Sequence, residues 1–170
     1  MPEKITNNVA YIVHQICSIT DSKPGKTALQ KTVYLVQMEG LDLGFKYKPH
    51  CFSVYSEALD SVINHLVAVN TLHVERKGNS NLMEVDNSCI VESDLGKEAE
   101  GIIEHVIRKY NEKAPSETGL LTTAHYVSRK MADRDLAGIV RGVQKIMGAK
   151  YSEEAIKEAI KELDLPAIEM

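Results

Sequence analysis

Apolar residues recur along this chain mostly with the period of a helix, and in one short stretch with that of a strand. Ile5, Val9, Ile12, Val13 and Ile16 predict an amphipathic helix over residues 4–20. The cluster Asp21-Ser22-Lys23-Pro24-Gly25 ends it. A second helix is expected from an N-cap at Thr27, with Ala28, Leu29, Val33, Tyr34, Val36 and Met38 covering a broad face and Gly40 as its stop. Leu43–Tyr47 and Cys51–Val54 each read as short extended segments, and Pro49 between them favours an edge strand or a loop.

Ser56 is placed to cap a third helix, with Glu57 in a first turn where negative charge suits the helix dipole. Leu59, Val62, Ile63, Leu66 and Val67 form its stripe. Leu72–Arg76 alternates as a strand, Lys77–Asn81 is a turn cluster, and Leu82–Asp86 returns as a second strand. The remainder predicts helices over Leu95–Tyr110, Ser116–Met131 and Arg134–Met147, with a last one opened by Ser152-Glu153-Glu154. The expected fold class is α+β, mostly helical: a winged-helix-like N-terminal unit with a short β-hairpin wing over residues 1–92, then a helical C-terminal part over 93–170. That part packs on the first or against a second copy.

Composition adds bounds. The chain has 170 residues, no Trp and two Phe, so its core is expected to be aliphatic. No apolar run approaches the ~20 residues of a membrane helix, and the first residues lack the regions of a signal peptide. The odd, widely spaced set Cys17, Cys51 and Cys89 predicts reduced thiols in a cytoplasmic protein. Charge is uneven: residues 51–94 carry seven acids against Arg76 and Lys77, whereas residues 1–50 and 95–149 are each slightly basic. The expected third helix and wing are therefore the most acidic part.

The run Leu29-Gln30-Lys31-Thr32-Val33-Tyr34-Leu35-Val36-Gln37, with Gly40, Leu43-Gly44-Phe45-Lys46 and Tyr55-Ser56-Glu57-Ala58-Leu59, resembles the YwgA-like family of small prokaryotic proteins. That family looks related to the Panacea, or phage-associated, domain group. The resemblance covers about residues 25–75, and more loosely the helices from Leu120 to Leu163. It implies a winged-helix-like fold and, through Panacea relatives that act as antitoxins or proteolysis adaptors, protein binding. The chain departs where the family shows Gly-Pro before Tyr-Ser and this sequence has Ser53-Val54.

Three function classes follow. A DNA-binding winged helix sets its third helix in the major groove and neutralises phosphates with Lys and Arg. Here Ser56–Thr71 contains no Lys or Arg, and Glu57 and Asp60 sit at its N-terminal end. Asn64 and His65 could read bases or simply face solvent, and Arg76 and Lys77 are the basic pair of the wing. Lys23, Lys26 and Lys31, and the group Arg129, Lys130, Arg134, Arg141 and Lys145, are either solvated faces or an anion-contact surface.

The second class is a protein-interaction module or self-associating chain, and the acidic third helix leans this way. The third is an enzyme. His14 and Cys17 lie on one helix face, but two ligands do not make a zinc site. His50-Cys51 are adjacent without an orienting group, and no phosphate loop is present. The expectation is a non-enzymatic regulatory or adaptor protein that needs no cofactor and binds a protein partner, with a DNA-binding regulator as the alternative. Glu57, Asp60, Asn64, Arg76 and Lys77 are the candidate contact residues, and no catalytic, cofactor or metal residue is assigned.

Overall fold

The computed structural model describes residues 3–50, 53–89, 91–111, 113–130 and 135–163. The fold is α+β and mostly helical, in two compact units. The described residues of 1–46 and 56–112 form the first, and those of 47–55 and 113–170 the second.

In the first unit, α1 (Glu3–Thr20) buries Val9, Ile12, Val13 and Ile16 of the expected stripe, with Ile5 only half-buried. α2 (Lys26–Met38) starts one residue before the expected cap at Thr27. Its N-cap is Gly25, which has no side chain to cap with. The chain there is held extended from outside, because Gly25 forms an antiparallel bridge with Leu82 and the Met83 N–H donates to the Pro24 carbonyl at 2.8 Å. Gly40 ends α2 as expected: at φ +110 it lets its own N–H reach the Gln37 carbonyl and that of Leu41 reach Val36.

α3 (Glu57–Ala68) has Ser56 as N-cap, its Oγ accepting the Leu59 N–H at 3.3 Å. It buries Leu59, Val62, Ile63 and Leu66. Asn70, at φ +63, turns the chain into a hairpin of β3 (Leu72–Lys77) and β4 (Ser80–Val85). The hairpin turn is tighter than the Lys77–Asn81 cluster predicts. Lys77 pairs with Ser80 across a two-residue turn, where Gly78 adopts the φ of +62 that its first position requires. α4 (Lys97–Asn111) packs on α1 and α2 within this unit and buries Ala99, Ile103, Val106 and Ile107.

In the second unit, β1 (Lys48–His50) and β2 (Ser53–Tyr55) form a two-stranded antiparallel ribbon. Pro49 lies in it, and both strands of such a ribbon are edges. Leu43–Tyr47 is no strand, because Gln37 occupies both backbone groups of Phe45. Cys51 and Phe52 of the other expected segment lie outside the described residues. Pro115 opens α5 (Pro115–Lys130) at its first position instead of only breaking the chain. α5 is contacted by β2, α6 (Leu136–Met147) and α7 (Glu153–Leu163), so it is buried on more than one face, with small residues such as Gly119, Thr122, Thr123 and Ala124 inside. Asp135 caps α6 and Ser152 caps α7.

Candidate functional site

The five candidate contact residues fall into two groups in the first unit. Glu57, Asp60 and Asn64 lie on α3, and Arg76 and Lys77 at the tip of the hairpin.

The α3 group is built around Lys26. Its ammonium stands 3.2 Å from Asp60 Oδ1 and donates to Asn64 Oδ1 at 2.9 Å. The Asn64 amide in turn donates to Asp60 Oδ2 at 3.4 Å. Lys26 is in the first turn of α2, where a positive charge opposes the helix dipole. That misfit is the sequence signal that its charge is used elsewhere. Glu57 is exposed in the first turn of α3, beside the cap.

A second lysine acts on the hairpin. Lys23 donates to Glu75 at 2.8 Å and stands 3.2 Å from Glu84, so one cation spans β3 and β4. Its hydrogen bonds raise its pKa, and the Lys23 hydrogen bond lowers that of Glu75. Arg76 Nε reaches the Gly78 carbonyl at 3.4 Å, and Lys77 is exposed at the turn.

At the hairpin base, Asp86 accepts from the Ser88 hydroxyl, from His73 Nε2 and from the Ser88 N–H at 3.0 Å. The Ser88 bonds and then His73 hold its carboxyl down at about 2. Ser, Asp and His meet here with the carboxylate in the middle, so the base beside the hydroxyl is a carboxylate held at about 2, too weak to take its proton. A nucleophile requires a base that can.

The other candidates separate. Cys17 donates to the Met83 carbonyl at 3.7 Å, and burial pushes its thiol up, away from the reactive thiolate. His14 is exposed on the same helix. Among the described residues no group of three or more His, Cys, Asp or Glu could hold a metal ion. His50 stacks on Tyr55 at 4.8 Å, while Cys51 and Arg134 lie outside the described residues. In the second unit, Lys130 lies over the Tyr126 ring and Arg129 helps to lower the His125 pKa.

No protein-family model matches the chain, and no curated protein matches its sequence.

Proposed function

We propose that this chain is a non-enzymatic regulatory or adaptor protein that binds a protein partner through α3 and the hairpin of a winged-helix-like unit. The winged-helix reading is supported by the order of three helices followed by a hairpin. It is also supported by the Pro24–Gly25 segment, which lies along β4 in the position of a third strand. It extends the resemblance to the YwgA-like family.

One observation carries the partner class. Residues 56–86 hold Glu57, Asp60, Glu75, Glu84 and Asp86 against Arg76 and Lys77. Lys23 and Lys26, two cations that reach this surface, are engaged by Glu75, Glu84 and Asp60. A surface that binds DNA needs cations available to phosphates, and each contact adds to the salt dependence. With those pairs made, the five acids and four cations of this surface leave no excess of positive charge for phosphates, and its paired, polar character suits a hydrogen-bonding protein face.

The test has two arms. Titration of a labelled random-sequence duplex at low and near-physiological salt is expected to give no binding. Affinity that falls steeply with salt would replace the proposal with a DNA-binding regulator. In cells, a photo-crosslinking residue at exposed Ser61 is expected to capture a protein, and Glu57→Lys/Asp60→Lys to abolish the capture. Undiminished capture in the double variant removes α3 from the contact surface.

A further inference from the structure

β3 has a free edge. A two-residue turn makes its flanking pair, Lys77 and Ser80, a hydrogen-bonded pair, and such pairs alternate along an antiparallel ladder. Glu75 with Leu82 and His73 with Glu84 therefore bond across the hairpin. Residues 72, 74 and 76 then turn their N–H and C=O groups outward on one edge, and 81, 83 and 85 do so on the other. The Met83 N–H bonded to Pro24 agrees with this phase, as does the Asp86 N–H on the Thr71 carbonyl. The β4 edge is thus closed by residues 24–25. Among the described residues nothing pairs with the β3 edge.

The same edge carries an exposed apolar side chain. Val74 is 43% exposed, although it lies on the sheet face where Leu72, Met83 and Val85 are buried. An open edge is ordinarily defended by charge. Glu75, Arg76 and Lys77 occupy that role, yet they do not exclude every partner.

We propose that β3 pairs antiparallel with β3 of a second copy of this chain, about a two-fold axis at Val74. In this register Val74 faces Val74, His73 of each copy faces Glu75 of the other, and Leu72 faces Arg76. Glu75 already holds Lys23 and His73 already holds Asp86, so the register is favoured by what it avoids: like charges on facing residues destabilise a strand pair. Shifting the axis by one residue sets Glu75 against Glu75 or His73 against His73; shifting it by two sets Arg76 against Arg76 toward the turn, or, toward α3, Leu72, which is already buried, against itself and Val74 against Asn70, whose φ of +63 lies outside the strand. Of these registers the Val74 one joins exposed apolar to exposed apolar at the axis with no like charges opposed. The copies form one continuous sheet, and the exposed valines cover each other on its core-facing side. A strand-edge contact of this length buries less than the ~1,200 Å² of a standard interface, so the dimer is concentration-dependent. The pairing does not depend on the α3 partner surface: loss of that surface in Glu57→Lys/Asp60→Lys leaves it intact.

Analytical ultracentrifugation of the full chain, from micromolar to near-millimolar, tests this. The wild type is expected to shift from monomer to dimer. Val74→Lys and Val74→Pro, each checked for unchanged circular dichroism, are expected to stay monomeric. The proline removes an outward N–H and no bond of the β3–β4 ladder. Amide exchange by NMR reads the register: raising the concentration should slow exchange at Leu72, Val74 and Arg76, leaving His73, Glu75 and Lys77 unchanged. A wild type that stays monomeric throughout overturns the proposal. So does a dimer that survives both variants, or protection without this alternation.

Discussion

Gln30 and Ser56 form a closed ring of two hydrogen bonds. The Gln30 side-chain amide donates to the Ser56 carbonyl and accepts the Ser56 N–H, both at 2.9 Å and both buried. One side chain thus serves the backbone of Ser56 as a neighbouring strand would. Gln37, two turns along α2, does the same for Phe45, at 3.0 and 2.9 Å. The chain leaves the first unit just beyond Phe45, forms the β1–β2 ribbon, and returns at Ser56. Both ends of that excursion are tied to a single helix.

Gln30→Leu should therefore be among the most damaging single changes in the first unit. It strands the buried Ser56 N–H, at about 1–3 kcal/mol, and takes one of two donors from the Ser56 carbonyl, which still accepts the Asp60 N–H at 3.2 Å. A loss of about 2–3 kcal/mol is expected in chemical denaturation. Ser56→Ala removes only the cap, at about 1 kcal/mol. Equal losses for the two would mean that the ring contributes nothing beyond the cap.

Most helices and the hairpin were legible because they have one buried stripe and a local stop, as with Ile12 and Val13 on α1 or Ser56 before α3. The Gln30 and Gln37 rings were not legible. A glutamine within a helix reads as a solvated residue, and only the returning chain gives it a buried partner. The start of α2 was missed for a similar reason, since Gly25 is positioned by Leu82 and Met83, distant in sequence. The acidity of α3 was plain from Glu57 and Asp60. That Lys26 answers it was not, because the pairing crosses 34 residues and depends on how α2 meets α3.

The Lys26–Asp60–Asn64 cluster is partly open to solvent, with side-chain exposures of 43% for Lys26 and 27% for Asp60. Pairs of this kind contribute about 0–1 kcal/mol. Lys26→Met should cost less than about 1 kcal/mol in denaturation, and a double-mutant cycle with Asp60→Asn should give a coupling within that range. A coupling of several kcal/mol would make the cluster a structural lock instead of a modest surface contact.

His125 on α5 has its pKa lowered from 6.5 to about 4, by burial first and by the Arg129 charge second. The folded chain thus keeps the ring neutral at pH values where the unfolded chain protonates it. Unfolding takes up a proton between about pH 6.5 and 4, so stability is full above that window and falls as pH drops through it. The fall attributable to His125 is on the order of 2 kcal/mol, after allowing for the ring's partial contact with solvent. Denaturation at pH 7 and pH 4.5 should show this difference, and His125→Gln should reduce it. An NMR titration placing the folded pKa near 6.5 would remove the effect.

Thr123 gives the opposite kind of test, a change that should help. Its hydroxyl is fully buried within α5 and lacks a hydrogen-bond partner among the described residues, whereas the Thr122 hydroxyl donates to the Gly119 carbonyl at 3.0 Å. An unpaired buried hydroxyl costs about 1–3 kcal/mol relative to an apolar group in the same space. Valine has nearly the shape of threonine and matches its β-branching. Thr123→Val should therefore raise stability by about 1 kcal/mol, while Thr122→Val gains less or loses, because it also removes a bond. Thermal denaturation of the two variants side by side decides the point. A lower midpoint for Thr123→Val than for Thr122→Val would mean that the Thr123 hydroxyl is satisfied in solution.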